Sequence, residues 1–203
     1  LYYADGSASM GIQVILEEIG VAYELIQSTI DMNKPRPADQ LAINPNGWIP
    51  VLVGDVAIYE AAAITIYLCD KHSEASLAPS FDDPSRGLFL QTLVYFSNSV
   101  QNAFQLNYYP ERFCQTQDGY SNAMGRGVSR LRETWKVIDS QIGLNEWVLG
   151  DRFSAIDIYL FMLTTWLSES RGHPSIQEFP NVARVAKRVL DRPATKEVYS
   201  SLS

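Results

Sequence analysis

Cysteine and histidine are scarce in this chain, two of each among 203 residues, and their scarcity removes several kinds of chemistry at once. Cys69 and Cys114 lie too far apart for a Cys-x-x-Cys pair, so neither a disulfide framework nor a dithiol redox centre is indicated, and both read as free thiols of a reducing compartment. His72 and His173 have no second histidine, cysteine or acidic pair at ligand spacing, so no metal site is expected. Positive charge is also in deficit: 16 Lys and Arg against 23 Asp and Glu leave a formal charge of −7. Such a chain offers no wide cationic face to displace counterions from a phosphate backbone, which removes nucleic acid as an expected partner. No apolar run approaches the ~20 residues that span a bilayer, so no membrane association is expected and the cytoplasm is the expected location. Neither Gly-x-Gly-x-x-Gly nor Gly-x-x-x-x-Gly-Lys-Ser/Thr occurs, which argues against dinucleotide and P-loop chemistry. The stretch Ser7-Ala8-Ser9-Met10-Gly11 lacks the leading glycine of a nucleophile elbow.

What is present is enough apolar material, 46% of residues, to bury a proper core. Its texture changes at the Ser/Asp/Pro-rich stretch from Ser73 to Pro84, which divides the chain into a domain over 1–72, a linker over 73–84 and a second domain over 85–203. In the first, Leu1-Tyr2-Tyr3, Tyr23–Gln27, Val51–Val53 and Ala57–Tyr59 read as strands, the last two joined at a Gly54-Asp55 turn. Ile12, Ile15, Leu16 and Ile19 recur at helical spacing until Gly20 stops them, and Ile64, Tyr67 and Leu68 form a later helical stripe. This order predicts a small α/β sheet. Past the linker no strand is predicted. Phe89, Leu93, Phe96, Val100 and Phe104 line one face of a long helix, and Leu131, Trp135, Ile138 and Ile142 line another. Ser154 and Asp157 predict a capping box, with Phe153 and Ile158 at the staple positions, followed by the buried stripe Ile156, Tyr159, Leu160 and Leu163. Arg192-Pro193 closes one helix and opens a short last one.

Three local features bear on chemistry. Ala4-Asp5-Gly6-Ser7-Ala8-Ser9 joins the first strand to a helix start, where two hydroxyls, unsatisfied N–H groups and the positive end of the helix dipole favour an anion such as a thiolate; Ser7 or Ser9 acting only as an N-cap is the alternative. In Asn44-Pro45-Asn46-Gly47-Trp48-Ile49-Pro50-Val51, a cis bond before Pro50 would turn the backbone of Ile49 outward for an extended peptide to pair with. Tyr59-Glu60-Ala61 ends a strand and begins a helix, offering N–H groups to a carboxylate.

Taken in order, with the Ser154 box behind them, these features resemble the cytosolic glutathione transferase family along essentially the whole chain, and most of all its bacterial beta class. Leu1-Tyr2-Tyr3 and Gly6-Ser7-Ala8-Ser9 resemble the first strand and the Pro-Gly-Ser-Cys-Ser type loop. Asn44 to Leu52 matches Asn-Pro-x-Gly-x-x-Pro-x-Leu, and Gly150 through Asp157, Tyr159, Leu160 and Phe161 matches a second family stretch. The resemblance implies a thioredoxin-like α/β domain followed by an all-α domain, assembled as a homodimer. It also implies glutathione as co-substrate with no further cofactor, and a small electrophile as the second substrate.

Carried over by residue, the resemblance makes Pro50 the cis proline, Ile49 the backbone partner of the cysteinyl unit, and Glu60 with the Ala61 N–H the holder of the γ-glutamyl end. Trp48 would flank the tripeptide and Lys34 would reach the glycyl carboxylate, unless it is a solvated loop lysine. Ser9 is preferred as the group that activates the thiol, with Ser7 as the alternative and Tyr3 weaker still. Tyr3, Gln101, Asn102, Gln105 and Tyr108 are expected around the electrophile, and Tyr95, Tyr109 and Phe113 either join Tyr108 in an aromatic wall or belong to the core. The chain departs from the class at three places: Ala8 replaces the cysteine that forms a mixed disulfide, Ala61 replaces a serine, and Gln101-Asn102 replaces a His-Lys pair. Conjugation of a glutathione thiolate is therefore expected; a glutathione-dependent reductase or lyase, or a non-catalytic interaction protein on the same fold, are the rival readings.

Overall fold

In the computed structural model, which describes residues 1–31 and 33–200, the chain opens on strand β1 (Tyr2–Tyr3) inside a four-stranded sheet of order β2-β1-β3-β4. β1 runs parallel to β2 (Ile26–Gln27) and antiparallel to β3 (Val51–Val53), which pairs antiparallel with β4 (Ala57–Tyr59). A parallel pair needs a crossover, and α1 (Ser9–Ile19) supplies it. α1 stops at Gly20, whose φ of 79° lets its N–H bond the carbonyls of Leu16 and Glu17 at 3.0 and 3.1 Å. The strand expected over 23–27 is shorter than that, because the Tyr23 hydroxyl turns back to Glu17 on α1 and only Ile26–Gln27 reaches the ladder. The segment read as a plain connection contains α2 (Ala38–Ile43), whose six residues are too few to show an apolar stripe. α3 (Ala61–Lys71) completes this half.

No strand follows the linker among the described residues. The predicted long helix is α4 (Arg86–Tyr95), a π turn at Phe96–Val100 and α5 (Gln101–Tyr108), continuous in right-handed helical geometry. Its five predicted apolar positions are all buried. Then come α6 (Tyr120–Ile142), α7 (Ala155–Thr164), α8 (Pro180–Leu190) and α9 (Pro193–Tyr199). Prolines open the last two, where a missing N–H costs nothing.

α7 is buried on every face from Ala155 to Leu163, so it forms the axis of the helical half. Its capping box is present. The Asp157 carboxylate accepts from the Ser154 N–H and hydroxyl at 2.8 and 3.1 Å and from the Val148 N–H at 2.8 Å.

The two halves share one apolar core in which Ile12, Ile15 and Ile64 join Phe89, Phe96 and Tyr159. α1 lies against α7 and α9, and Gly11 makes the first of these approaches possible: a Cβ there would stand 2.6 Å from the Met162 sulfur. Two arginines tie the halves further. Arg192 grips Glu18 of α1 through two bonds of 2.6 Å while its guanidinium covers the Phe153 ring, and buried Arg86 reaches back to Asp70 at 2.8 Å. With the halves joined in this way α5 stands over the sheet, and a cavity lies between them.

Candidate functional site

The turn between β1 and α1 is held by a compact hydroxyl network. Gly6 takes φ 71°, which lets the chain reverse, and the Ser7 hydroxyl donates to the Ala4 carbonyl at 2.8 Å. Ser9 is fully buried; its Oγ accepts the Ala4 N–H at 3.1 Å and lies 2.7 Å from Ser7 Oγ. Gly6, Ser7 and Ala8 line a cavity of about 390 Å³, and Ser9 does not. Ser7 is thus at the cavity wall, and Ser9, the residue preferred from the sequence, lies behind it. The reason is helical direction, since Ser9 is the first residue of α1 and its side chain falls back under the turn rather than over it.

The second wall comes from the loop before β3. The Ile49–Pro50 peptide is cis, and Gly47, Trp48, Ile49 and Pro50 all line the cavity. Buried Gln40 and Asn44 hold this loop by donating to the Gly47 and Trp48 carbonyls at distances from 3.1 to 3.3 Å. Arg36 lies along the same wall, its Nε donating to the Gly47 carbonyl at 2.7 Å.

Glu60 and Ala61 line the cavity at the start of α3. Glu60 has φ 74°, a left-handed conformation that costs a residue with a Cβ about 1–3 kcal/mol and that recurs where a site needs it. It is exposed, and the α3 N-terminus behind it presents N–H groups and the positive end of a helix dipole.

The third wall belongs to the helical half: Gln101, Phe104, Gln105 and Tyr108 from α5, Tyr109 and Arg112 after it, and Thr165 and Trp166 after α7. The buried Tyr159 hydroxyl donates to Gln101 Oε1 at 2.8 Å, which leaves the amide NH₂ as the end of Gln101 open to the cavity. Burial, with the Glu60 charge adding to it, pushes the Tyr159 hydroxyl well above the usual tyrosine range, so it stays a proton donor. Tyr108 is pinned by its bond to the Trp166 carbonyl at 2.8 Å and by the Arg171 guanidinium 4.3 Å from its ring. His173 is buried edge-on to Phe104 and Tyr108 and backs this wall. Cys69 is also buried, its thiol pushed up to about 12 by desolvation, so it is not a reactive thiolate.

The cavity thus gathers Ser7, Trp48, Ile49, Pro50, Glu60, Ala61, Gln101, Gln105 and Tyr108 of the expected residues. It does not gather Ser9, Lys34, Tyr3 or Asn102. Lys34 is exposed and away from the cavity, and Arg36, two residues on, takes the lining position. Tyr3 packs on the core side of the sheet, as strand alternation dictates, and Asn102 faces solvent one position round α5 from Gln101. Tyr109 joins Tyr108 in the wall, whereas Tyr95 packs against the core and Phe113 is exposed outside it. Sequence reasoning missed Arg36, Arg112, Thr165 and Trp166; only Arg36 had a local signal, as a second cation in the loop that holds Lys34.

A thioredoxin-like sheet with a cis-proline edge thus faces a helical domain across a cavity lined by polar and aromatic side chains. Family models described as "Glutathione S-transferase, N-terminal domain" and "Glutathione S-transferase, C-terminal domain" match residues 7–71 and 123–193, and the chain belongs to this family. Among its relatives is glutathione S-transferase GstA of Escherichia coli O157:H7, 24% identical over 99% of this chain and 97% of that protein. A sphingomonad glutathione S-transferase solved with glutathione superposes with a TM-score of 0.84 at 23% identity, over 99% of this chain and 97% of that one. A beta class glutathione S-transferase from Sphingomonas chungbukensis gives a TM-score of 0.82 at 22% identity, with the same coverage. At these identities the two structures establish the fold, which is the one expected.

Proposed function

We propose that this chain conjugates the thiolate of glutathione to small electrophiles. The observation that carries the reading is that one cavity joins the Ser7-Ala8 helix start, the Ile49–Pro50 edge and the Glu60-Ala61 helix start to an aromatic wall from α5. Glutathione then lies with its cysteinyl unit along Ile49, its γ-glutamyl ammonium at Glu60 and its γ-glutamyl carboxylate at the Ala61 N–H. Its glycyl carboxylate goes to Arg36 rather than Lys34. Ala8 leaves no cysteine to form a mixed disulfide at the helix start, which favours conjugation over thiol exchange. The cavity itself favours an enzyme over a non-catalytic interaction protein.

A thiol ordinarily ionises near pH 8.5, and lowering that by about two units corresponds to about 2.7 kcal/mol of anion stabilisation. In this reading the Ser7 hydroxyl and the first N–H groups of α1 supply it, and Ser9 acts only by holding the Ala4-Ser7 turn. Ser7→Ala is therefore expected to raise the pKa of bound glutathione by about one unit or more, read as thiolate absorbance against pH. Ser9→Ala is expected to shift it less, and instead to lower stability by about 1–3 kcal/mol, because the Ala4 N–H loses its acceptor. A larger shift for Ser9→Ala than for Ser7→Ala would return the role to Ser9. No shift in either variant would assign the thiolate to backbone N–H groups or water.

We also infer a homodimer in a reducing, cytoplasmic setting. Two thiols not joined in a disulfide suit that compartment. Val53, Val56 and Tyr59 on the β3–β4 hairpin and Leu88 and Val94 on α4 are apolar side chains left exposed, the kind of surface a twofold contact would cover. Light scattering at micromolar concentration is expected to give twice the chain mass; a monomer there sinks the dimer.

A further inference from the structure

We propose that the acceptor half of the cavity selects electrophiles bearing an anionic substituent, a carboxylate or sulfonate on a flat conjugated frame, and that Arg112 is the residue that recognises it. The inference rests on the glutathione-transfer reading above.

Of the described residues lining the cavity only three carry a formal charge: Glu60, Arg36 and Arg112. In a chain of net charge −7 the cavity thus carries two cations to one anion, and the question is which of them the tripeptide uses. Two of the three are accounted for by the tripeptide. Glu60 meets the γ-glutamyl ammonium, and Arg36, bonded to the Gly47 and Lys34 carbonyls at 2.7 and 3.2 Å, sits on the loop beside the glycyl end.

Arg112 is placed differently. It closes the short turn Pro110–Arg112 after α5, on the helical side of the cavity, where the aromatic wall stands. Its guanidinium carbon lies 4.0 Å from the Tyr109 ring centre and 4.8 Å from that of Trp48, one ring from each domain. A guanidinium in contact with ring faces is oriented by them, and its N–H fork recognises a planar anion edge-on, as a lysine cannot. Burial draws its charge down and Arg36 is near enough to add to that, against the favourable pull of Tyr109 and Glu111. A bound anion would relieve this cost directly. Tyr108, Phe104 and Trp166 offer ring surface to the flat frame that carries the anion.

The test uses two conjugates that differ by one carboxylate: S-(2,6-dinitrophenyl)glutathione and S-(4-carboxy-2,6-dinitrophenyl)glutathione. Both are titrated by calorimetry against the whole protein at low salt, beside glutathione alone. The wild-type chain is expected to bind the carboxylated conjugate about fivefold to tenfold more tightly, the scale of a partly screened charged hydrogen bond. Arg112→Leu is expected to bring that ratio to about one, and Arg112→Lys to leave it between, because the charge remains but the fork does not. A wild-type ratio near one overturns the proposal, whatever the variants do. So does a loss of affinity for glutathione alone in Arg112→Leu that matches the loss for the conjugates, since Arg112 would then serve the glycyl carboxylate. Failure of glutathione itself to bind the wild-type chain is a different result, and it removes the transferase reading underneath.

Discussion

Asp157→Ala is expected to lower the stability of the protein by about 3 kcal/mol at neutral pH, and by more in mild acid. The Asp157 carboxylate is wholly buried and accepts three hydrogen bonds, from the Val148 N–H, the Ser154 N–H and the Ser154 hydroxyl. Removing it strands two buried backbone donors, each at about 1–3 kcal/mol, and frees the start of the most buried helix in the fold. Burial outweighs the three bonds and raises the carboxyl to about 6 from an ordinary value of 3.8. The sign of the pH dependence follows. Between pH 4 and 6 the native chain binds more protons at this site than the unfolded chain, so the contribution of Asp157 is full below the unfolded value and fades as pH rises through the folded one. Chemical denaturation of wild type and Asp157→Ala is therefore expected to show a gap about 1 kcal/mol wider at pH 5 than at pH 7. A gap that is constant or widens toward neutral pH would mean that the carboxyl is not raised, and a gap under about 1 kcal/mol at neutral pH would mean that the three bonds do not hold α7.

Replacing Glu60 is expected to weaken glutathione binding by about 1.5–3 kcal/mol, or about 10- to 100-fold in Kd, the scale of a hydrogen bond to a charged group. Among the described residues that line the cavity Glu60 is the only carboxylate, and it stands where the γ-glutamyl ammonium would lie beside the α3 N-terminus. Its φ of 74° separates binding from stability. Glu60→Ala keeps the unfavourable backbone, whereas Glu60→Gly relieves it; both are expected to lose affinity alike, with the glycine variant about 1 kcal/mol more stable than the alanine one. Calorimetry that finds either variant within twofold of wild type would remove Glu60 from the site. Equal melting of the two would remove the strain.

The parts of the fold that were legible in the sequence are those whose cause is local. The Ile12-Ile15-Ile19 spacing ending at Gly20, the β3–β4 hairpin around Gly54-Asp55 and the Ser154-Asp157 box each depend on neighbours within a few residues, and each formed where expected. The shortened β2 and the unforeseen α2 had weaker local causes. β2 is an edge strand with sheet on one side only, and α2 is held by buried Gln40 reaching Gly47 and Trp48, a contact no stripe of apolar residues announces.

The sequence by itself determined the two-part architecture, the proline edge and the acid at the start of α3, because strand alternation, helix periodicity, turn glycines and the proline are properties of short stretches of chain. The tertiary structure decided which side chains share the cavity. Ser7 faces it and Ser9 does not because the first turn of α1 folds back under β1; Arg36 displaces Lys34 because its side chain bonds the Gly47 carbonyl across the loop. Arg112 and Trp166 come to the same wall from positions 54 residues apart, one after α5 and one after α7, as the helical half closes over the sheet around α7 and the Arg192–Glu18 contact. That closure is set by burial summed over the whole core, and no local pattern encodes the direction in which a loop residue will then point.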